Sequence, residues 1–211
     1  MLVDCVSDLC GERPKLPGDV PLLVVCGDLL LDGMGGEGMY DGVLNWLSAL
    51  GYVMVLVVPG DRDIGLTDEM FEGRARVKFL KDRMWVYNGK YIYGSPWVLK
   101  DRHGVARPSE WTWEDDELAE RYKAIPSGMD MLVTHGPPSF VLDEYTTKKR
   151  CGSVSLAEQV YKKKPRNHVF GHVKRSAGEV HEMALETGRT KFYNVSYGGE
   201  KSRSAYVRVK I

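Results

Sequence analysis

Five apolar runs in this chain each stop at an acid or a histidine, and that recurrence constrains the fold more than any other feature. Met131-Leu132-Val133-Thr134 leads directly into His135-Gly136-Pro137-Pro138. Four apolar or β-branched residues in a row read as a strand buried on both faces, and Gly-Pro-Pro stops it abruptly. His135 therefore falls at the carboxyl end of a core strand, where open α/β sheets bind their ligands. His168-Val169-Phe170 repeats the design as it runs into Gly171-His172. Leu2 to Ser7 ends in Asp8-Leu9-Cys10-Gly11, Leu22 to Cys26 in Gly27-Asp28, and Tyr52 to Val58 in Pro59-Gly60-Asp61-Arg62-Asp63.

The segments between these runs predict helices and a hairpin. Met39, Val43, Leu44, Leu47 and Leu50 keep helical spacing and predict a helix that covers one face of a sheet. An acidic start at Thr67-Asp68-Glu69 predicts a second helix reaching about Phe79. Asn88-Gly89, flanked by Met84 to Tyr87 and Tyr91 to Tyr93, is a strong hairpin signal and makes the sheet system mixed. Charged helices are expected over Glu114 to Ala124 and Ser155 to Lys163, and closing strands over Glu179 to Leu185, Lys191 to Ser196 and Ser204 to Ile211. Trp97, Trp111 and Trp113 lie in an irregular stretch, which they are expected to pin to the core. Gly33 to Gly38 is glycine-rich but lacks the Gly-Lys-Ser/Thr ending of a phosphate-binding loop, so it reads as a loop entering a helix. Neither a repeat nor a linker divides the chain, which predicts one domain over residues 1–211.

Composition narrows the class of partner. Lys+Arg and Asp+Glu both number 29, so no bulk charge favours nucleic acid or a membrane surface. No apolar run approaches the roughly 20 residues of a membrane helix. With the first strand starting at Leu2, no signal peptide is expected ahead of it, which predicts an intracellular, cytoplasmic protein. Cys5, Cys10, Cys26 and Cys151 form no CxxC pair, and Cys5 and Cys26 read as small core residues.

Gathered at one rim, the strand-end polar residues would be Asp8, Cys10, Asp28, Asp61, Arg62, His135 and His172. Carboxylates and imidazoles that converge in this way suit a divalent ion of the hard-to-borderline type: manganese first, with iron, zinc or magnesium as the other candidates.

The order and spacing of these motifs resemble the calcineurin-like metallophosphoesterase superfamily. Its signature runs Asp-x-His, Gly-Asp, Gly-Asn-His-Asp/Glu, a strand-end His, and Gly-His-x-His. Cys5-Val6-Ser7-Asp8, Gly94-Ser95-Pro96-Trp97, Ile125-Pro126, Thr134-His135-Gly136-Pro137-Pro138, Cys151-Gly152 and His168-Val169-Phe170-Gly171-His172 are most similar to the metallophosphoesterase-domain (MPPED) proteins. The resemblance implies a four-layer α/β/β/α sandwich of two mixed sheets flanked by helices, and phosphodiester hydrolysis assisted by two metals. It also implies one ion at Asp8, Cys10, Asp28 and the position of Lys174, and another at Asp28, Asp61, His135 and His172.

Three departures from the signature bear on activity. Protonated Lys174 has no lone pair for a metal, and Cys10 softens a site built for oxygen and nitrogen. Arg62 stands where the family carries histidine; it cannot act as a general acid near neutral pH but can clamp a phosphoryl oxygen. Asp8, Asp28 and Asp61 carry about minus three, which one divalent ion and the Lys174 ammonium would offset by simple addition. The expectation is therefore one bound ion, Lys174 in the place of the other, and Arg62 and Lys174 orienting phosphate as catalytic and substrate-binding groups. The corresponding activity is a weak phosphodiesterase acting on small phosphate esters or nucleotides, such as cyclic nucleotides. The alternative is an inactive pseudoenzyme that serves as a nucleotide or phosphate sensor or as a protein-interaction scaffold.

Overall fold

Alternate residues of the core strands face opposite ways, yet nearly all of them are buried, because each strand lies in a sheet covered on both sides. The computed structural model describes residues 1–31, 38–100, 105–146, 149–184, 188–198 and 204–211. Its strands are β1 (Leu2–Val6), β2 (Leu22–Val25), β3 (Met54–Val57), β4 (Val77–Phe79), β5 (Arg83–Tyr87), β6 (Lys90–Ser95), β7 (Val98–Leu99) and β8 (Thr112–Trp113). They continue with β9 (Met131–Thr134), β10 (Glu144–Thr146), β11 (Lys149–Arg150), β12 (Asn167–Phe170), β13 (Val180–Ala184), β14 (Arg189–Asn194) and β15 (Val207–Lys210). Among the described residues three α-helices intervene: α1 (Asp41–Ala49), α2 (Asp115–Tyr122) and α3 (Val154–Lys163).

One sheet runs β15-β1-β2-β3-β4 and the other β13-β14-β12-β9-β6-β5. In both, the central strands are parallel; one edge pair of the first sheet and both edge pairs of the second are antiparallel, so both sheets are mixed. Val3, Cys5, Leu22, Val24 and Leu56 of the first sheet meet Ile92, Met131, Val133 and Val169 of the second in the central layer. The alternate residues Leu23, Val25, Val55, Val57, Leu132 and Phe170 pack outward, with Val43, Leu44 and Leu47 of α1, Leu118 of α2, and Leu156 and Val160 of α3. The result is the α/β/β/α sandwich. The continuous apolar runs follow from it, since a strand buried on both faces has no solvent side to alternate with.

The hairpin forms where expected, with Asn88 and Gly89 both at positive φ (48° and 71°) between β5 and β6. The Thr67–Phe79 segment is not a helix. It makes one 3-10 turn, Asp68–Phe71, and then enters β4, because Gly73 turns left-handed (φ 73°) and Val77 and Phe79 are claimed by the sheet edge. Trp97 and Trp111 are buried, with ring centroids 6.0 Å apart, and the Arg121 guanidinium lies 3.6 Å from the Trp113 ring centroid, so the tryptophans do pin the irregular stretch. Most of the glycine-rich stretch, residues 33–37, and the end positions Leu185 and Gly199 lie outside the described residues.

Candidate metal centre

The central strands of both sheets deliver their carboxyl ends to one rim, and backbone hydrogen bonds lock neighbouring exits together. Asp8 N donates to Gly27 O (2.9 Å) and Cys10 N to Asp28 O (2.9 Å), joining the exits of β1 and β2. Gly171 N donates to His135 O (2.9 Å) and so joins the exits of β12 and β9. Asp8, Cys10, Asp28 and His172 all sit at positive φ (58°, 48°, 56° and 66°). Only a few per cent of non-glycine residues adopt this left-handed backbone, and such residues cluster at functional sites.

Asp61 Oδ1, His135 Nε2 and His172 Nδ1 form a small triangle. Asp61 Oδ1 lies 3.0 Å from each imidazole nitrogen, and the two nitrogens lie 3.2 Å apart. All three residues are buried. His135 Nδ1 is 2.6 Å from Cys26 O, a carbonyl that can only accept. The ring proton therefore sits on Nδ1 and the Nε2 lone pair faces the triangle, the outer support usual for a metal-ligating histidine. Asp61 Oδ2 is held by Arg107 N at 2.7 Å, whereas the buried Asp61 Oδ1 faces the two imidazole nitrogens. Ligands bound at about 2.1 Å stand about 3.0–3.4 Å from their neighbours around an ion, so the triangle fits a divalent metal.

A second group consists of Asp8, Asp28 and His135, with ligand atoms within 4.8 Å of one another. His135 Nε2 lies 3.4 Å from Asp28 Oδ1, further than from Asp61. Asp8 Oδ2 accepts His172 N at 2.9 Å, which ties the two groups together. Arg62 holds Asp28 twice, through Nε to Oδ2 and through its backbone N–H to Oδ1, both at 3.1 Å. Cys10 belongs to neither group. The described polar contact of its thiol is the Lys174 ammonium at 3.9 Å, and Lys174 is exposed, so the ammonium meets the thiol rather than a carboxylate.

The charges act strongly on one another. Burial lowers the His135 pKa, but Asp28, Asp61 and Asp8 outweigh it and hold the imidazole up at about 9. His172 is raised in the same way: Asp61 overcomes its burial. Burial favours a protonated Asp61, yet the two imidazoles hold it well below the usual carboxylate range. Burial and the neighbouring acids raise Asp28. The Cys10 thiol is pushed up to about 11, chiefly by burial, against the pull of Lys174.

Sequence reasoning missed Asp63 as a site residue. Fully buried, it accepts Asp28 N (2.8 Å) and Gly60 N (2.9 Å) on Oδ2 and Leu29 N (2.8 Å) on Oδ1. It thereby fixes the exit of β2 against that of β3. Its position two residues after Asp61 was the available signal, but a carboxylate spent on backbone donors looks like any turn acid in a sequence.

The human Metallophosphoesterase domain-containing protein 1 is 28% identical over 91% of this chain, and the mouse protein matches equally. The chain spans 64% of the length of these relatives. A UPF0046 protein of Caenorhabditis elegans is 28% identical over 96% of the chain and 77% of its own length. No family model matches. The structure of a phosphopantetheinyl hydrolase from Mycobacterium tuberculosis superposes with a TM-score of 0.61 at 15% identity, covering 98% of this chain and 95% of that one. In sequence the chain is similar to metallophosphoesterase-domain proteins, and its fold is that of the calcineurin-like metallophosphoesterase superfamily. Proteins of that superfamily generally use divalent metals, and the Asp and His groups at this rim are the ones that could hold them.

Proposed function

We propose that this metallophosphoesterase is a metal-assisted phosphodiesterase of low activity that acts on small phosphodiesters such as cyclic nucleotides. The observation that carries the reading is the buried triangle of Asp61 Oδ1, His135 Nε2 and His172 Nδ1, whose three donor atoms face one another. Asp61, His135 and His172, with Asp28 beside them, would hold one ion, manganese by preference. Such an ion, when bound, polarises a phosphoryl oxygen and makes its water a better nucleophile.

The residues around it have separate tasks. Cys26 O and Arg107 N keep His135 and Asp61 oriented, so the donor set needs no rearrangement. Arg62, with 30% of its side chain exposed, offers fixed positive charge at the rim, and Lys174 offers a second cation further out. Both would orient phosphate and stabilise charge that develops on it. Arg62 stays protonated and gives no general acid help, which typically contributes 10²–10⁴-fold, so turnover is slow.

The second reading, a silent phosphate or nucleotide sensor or a scaffold, draws support from Cys10 lying outside both donor groups. Manganese-dependent cleavage of bis(p-nitrophenyl) phosphate and of 3′,5′-cyclic AMP separates the two. Cleavage that disappears in His135→Ala and in Asp28→Ala is the expected result. Nucleotide binding without any turnover would favour the sensor, and undiminished product release by His135→Ala would overturn the assignment of the activity to this rim.

A further inference from the structure

We infer that Arg62 is a resident cation of the site, its guanidinium standing at Asp28 in place of a second divalent ion. The inference rests on the metal-assisted reading above and adds what limits the site to one ion. The two possible donor groups, Asp61 with His135 and His172, and Asp8 with Asp28 and His135, share a single imidazole. His135 has one lone pair to give, because its other nitrogen is committed to Cys26 O at 2.6 Å. Given to the triangle, where Asp61 lies 3.0 Å away against 3.4 Å for Asp28, it leaves Asp8 and Asp28 as two carboxylates without a neutral donor.

Asp8 is 3% exposed and Asp28 1%, and buried carboxylates this close require a positive partner. Lys174 does not supply it, since its exposed ammonium lies against Cys10 Sγ at 3.9 Å. Arg62 does. Its Nε lies 3.1 Å from Asp28 Oδ2 while its own backbone N–H takes Asp28 Oδ1 at 3.1 Å, so both oxygens of this carboxylate are engaged by one residue.

The placement is built into the turn. Arg62 lies between Asp61, which belongs to the triangle, and Asp63, whose carboxylate accepts the N–H groups of Asp28, Leu29 and Gly60. The backbone that carries the guanidinium is thus anchored on both sides of the residue. A guanidinium is permanently charged and cannot leave the site as an ion can. Asp8, Asp28 and Asp61 contribute about minus three, which one divalent ion with Arg62 offsets by unit-charge addition; Asp63 stands outside this count, on three backbone donors.

Metal stoichiometry tests this without recourse to turnover. Purified protein, stripped with chelator, is titrated with Mn²⁺, and bound metal is counted by calorimetry and by elemental analysis after gel filtration. The parent is expected to bind one Mn²⁺ per chain. Arg62→Gln is expected to bind two, with exchange broadening between the ions in the electron paramagnetic resonance spectrum. Arg62→Lys, which keeps the charge, and Lys174→Gln are expected to stay at one. Arg62→His provides a second neutralising variant if Arg62→Gln does not fold, with two ions expected again. A parent that already binds two ions overturns the inference, as does a folded Arg62→Gln or Arg62→His that stays at one; either leaves the metal-assisted reading intact. A parent that binds no Mn²⁺ at millimolar concentration overturns both.

Discussion

The two sides of the rim are built from the same kinds of residue but differ in how those residues are held. On one side, Asp61, His135 and His172 converge within 3.2 Å, and the Cys26 carbonyl and the Arg107 N–H fix the outer atoms of His135 and Asp61. On the other, Asp28 faces a guanidinium beside Asp8, while Cys10 and Lys174 pair with each other further out. What separates a metal site from a polar cluster is therefore less the list of side chains than the direction in which their lone pairs are held. Donor atoms aimed inward and left unsatisfied await a cation; those already engaged do not.

The largest expected effect comes from Asp63, which couples the two sides. Asp63→Ala leaves three buried N–H groups without an acceptor, at about 1–3 kcal/mol each, so a loss of about 3–9 kcal/mol of stability is expected in urea unfolding. Mn²⁺ affinity measured on the folded fraction should fall by about 10–100-fold, since Asp28 and Gly60 are no longer held against each other. Unchanged affinity would show that the two sides assemble independently.

His168 sharpens the contrast from below the triangle. Its Nε2 lies 2.9 Å from Thr134 Oγ1, whose hydroxyl donates to Gly136 O at 2.7 Å, so His168 donates and is neutral. Burial lowers its pKa from the ordinary 6.5 to about 3. A depressed folded value means stability that is fully present above pH 6.5 and is lost as the pH falls from there toward 3. Relative to His168→Gln, the metal-free parent should lose roughly 2 kcal/mol between pH 6.5 and 5, read from urea midpoints at each pH. Parallel pH profiles would mean that the buried imidazole is not the titrating group.

The smallest effect belongs to Lys174. Lys174→Ala should change folding stability by no more than about 0.5 kcal/mol, as expected of an exposed side chain, and shift Mn²⁺ affinity by less than about threefold. A large loss of affinity would place its ammonium deeper in the site than its contact with Cys10 implies.

The strand ends were legible because burial on both faces writes itself as a continuous apolar run, and the polar residue that stops such a run stands out. Asp8, Asp28, Asp61, His135 and His172 were all singled out in this way, and the structure brings them to one rim. The Thr67–Phe79 segment was misread because an acidic start signals a helix locally, whereas β3 recruits Val77 and Phe79 into the sheet from a distance. The contact that Lys174 makes, with Cys10 and not with a carboxylate, was not legible for a related reason. Charge counting gives the number of cations a cluster needs, but the reach and direction of Arg62 and Lys174 are decided by the turns on which they sit. Contributions from main-chain atoms, such as the Cys26 carbonyl and the Arg107 N–H, leave no trace in residue identity.

The left-handed backbone at Asp8, Asp28 and His172 restricts the ways in which this rim can drift. β-branched and bulky side chains are penalised in that conformation, while glycine and asparagine tolerate it best. Replacements that preserve the fold will therefore draw on a short alphabet of small or turn-forming residues. In a lineage released from metal chemistry, the first donors lost at these three positions should be succeeded by Gly or Asn rather than by Val, Ile or Thr. The conformation of three peptide units would then preserve the shape of the cradle long after its ligands had gone.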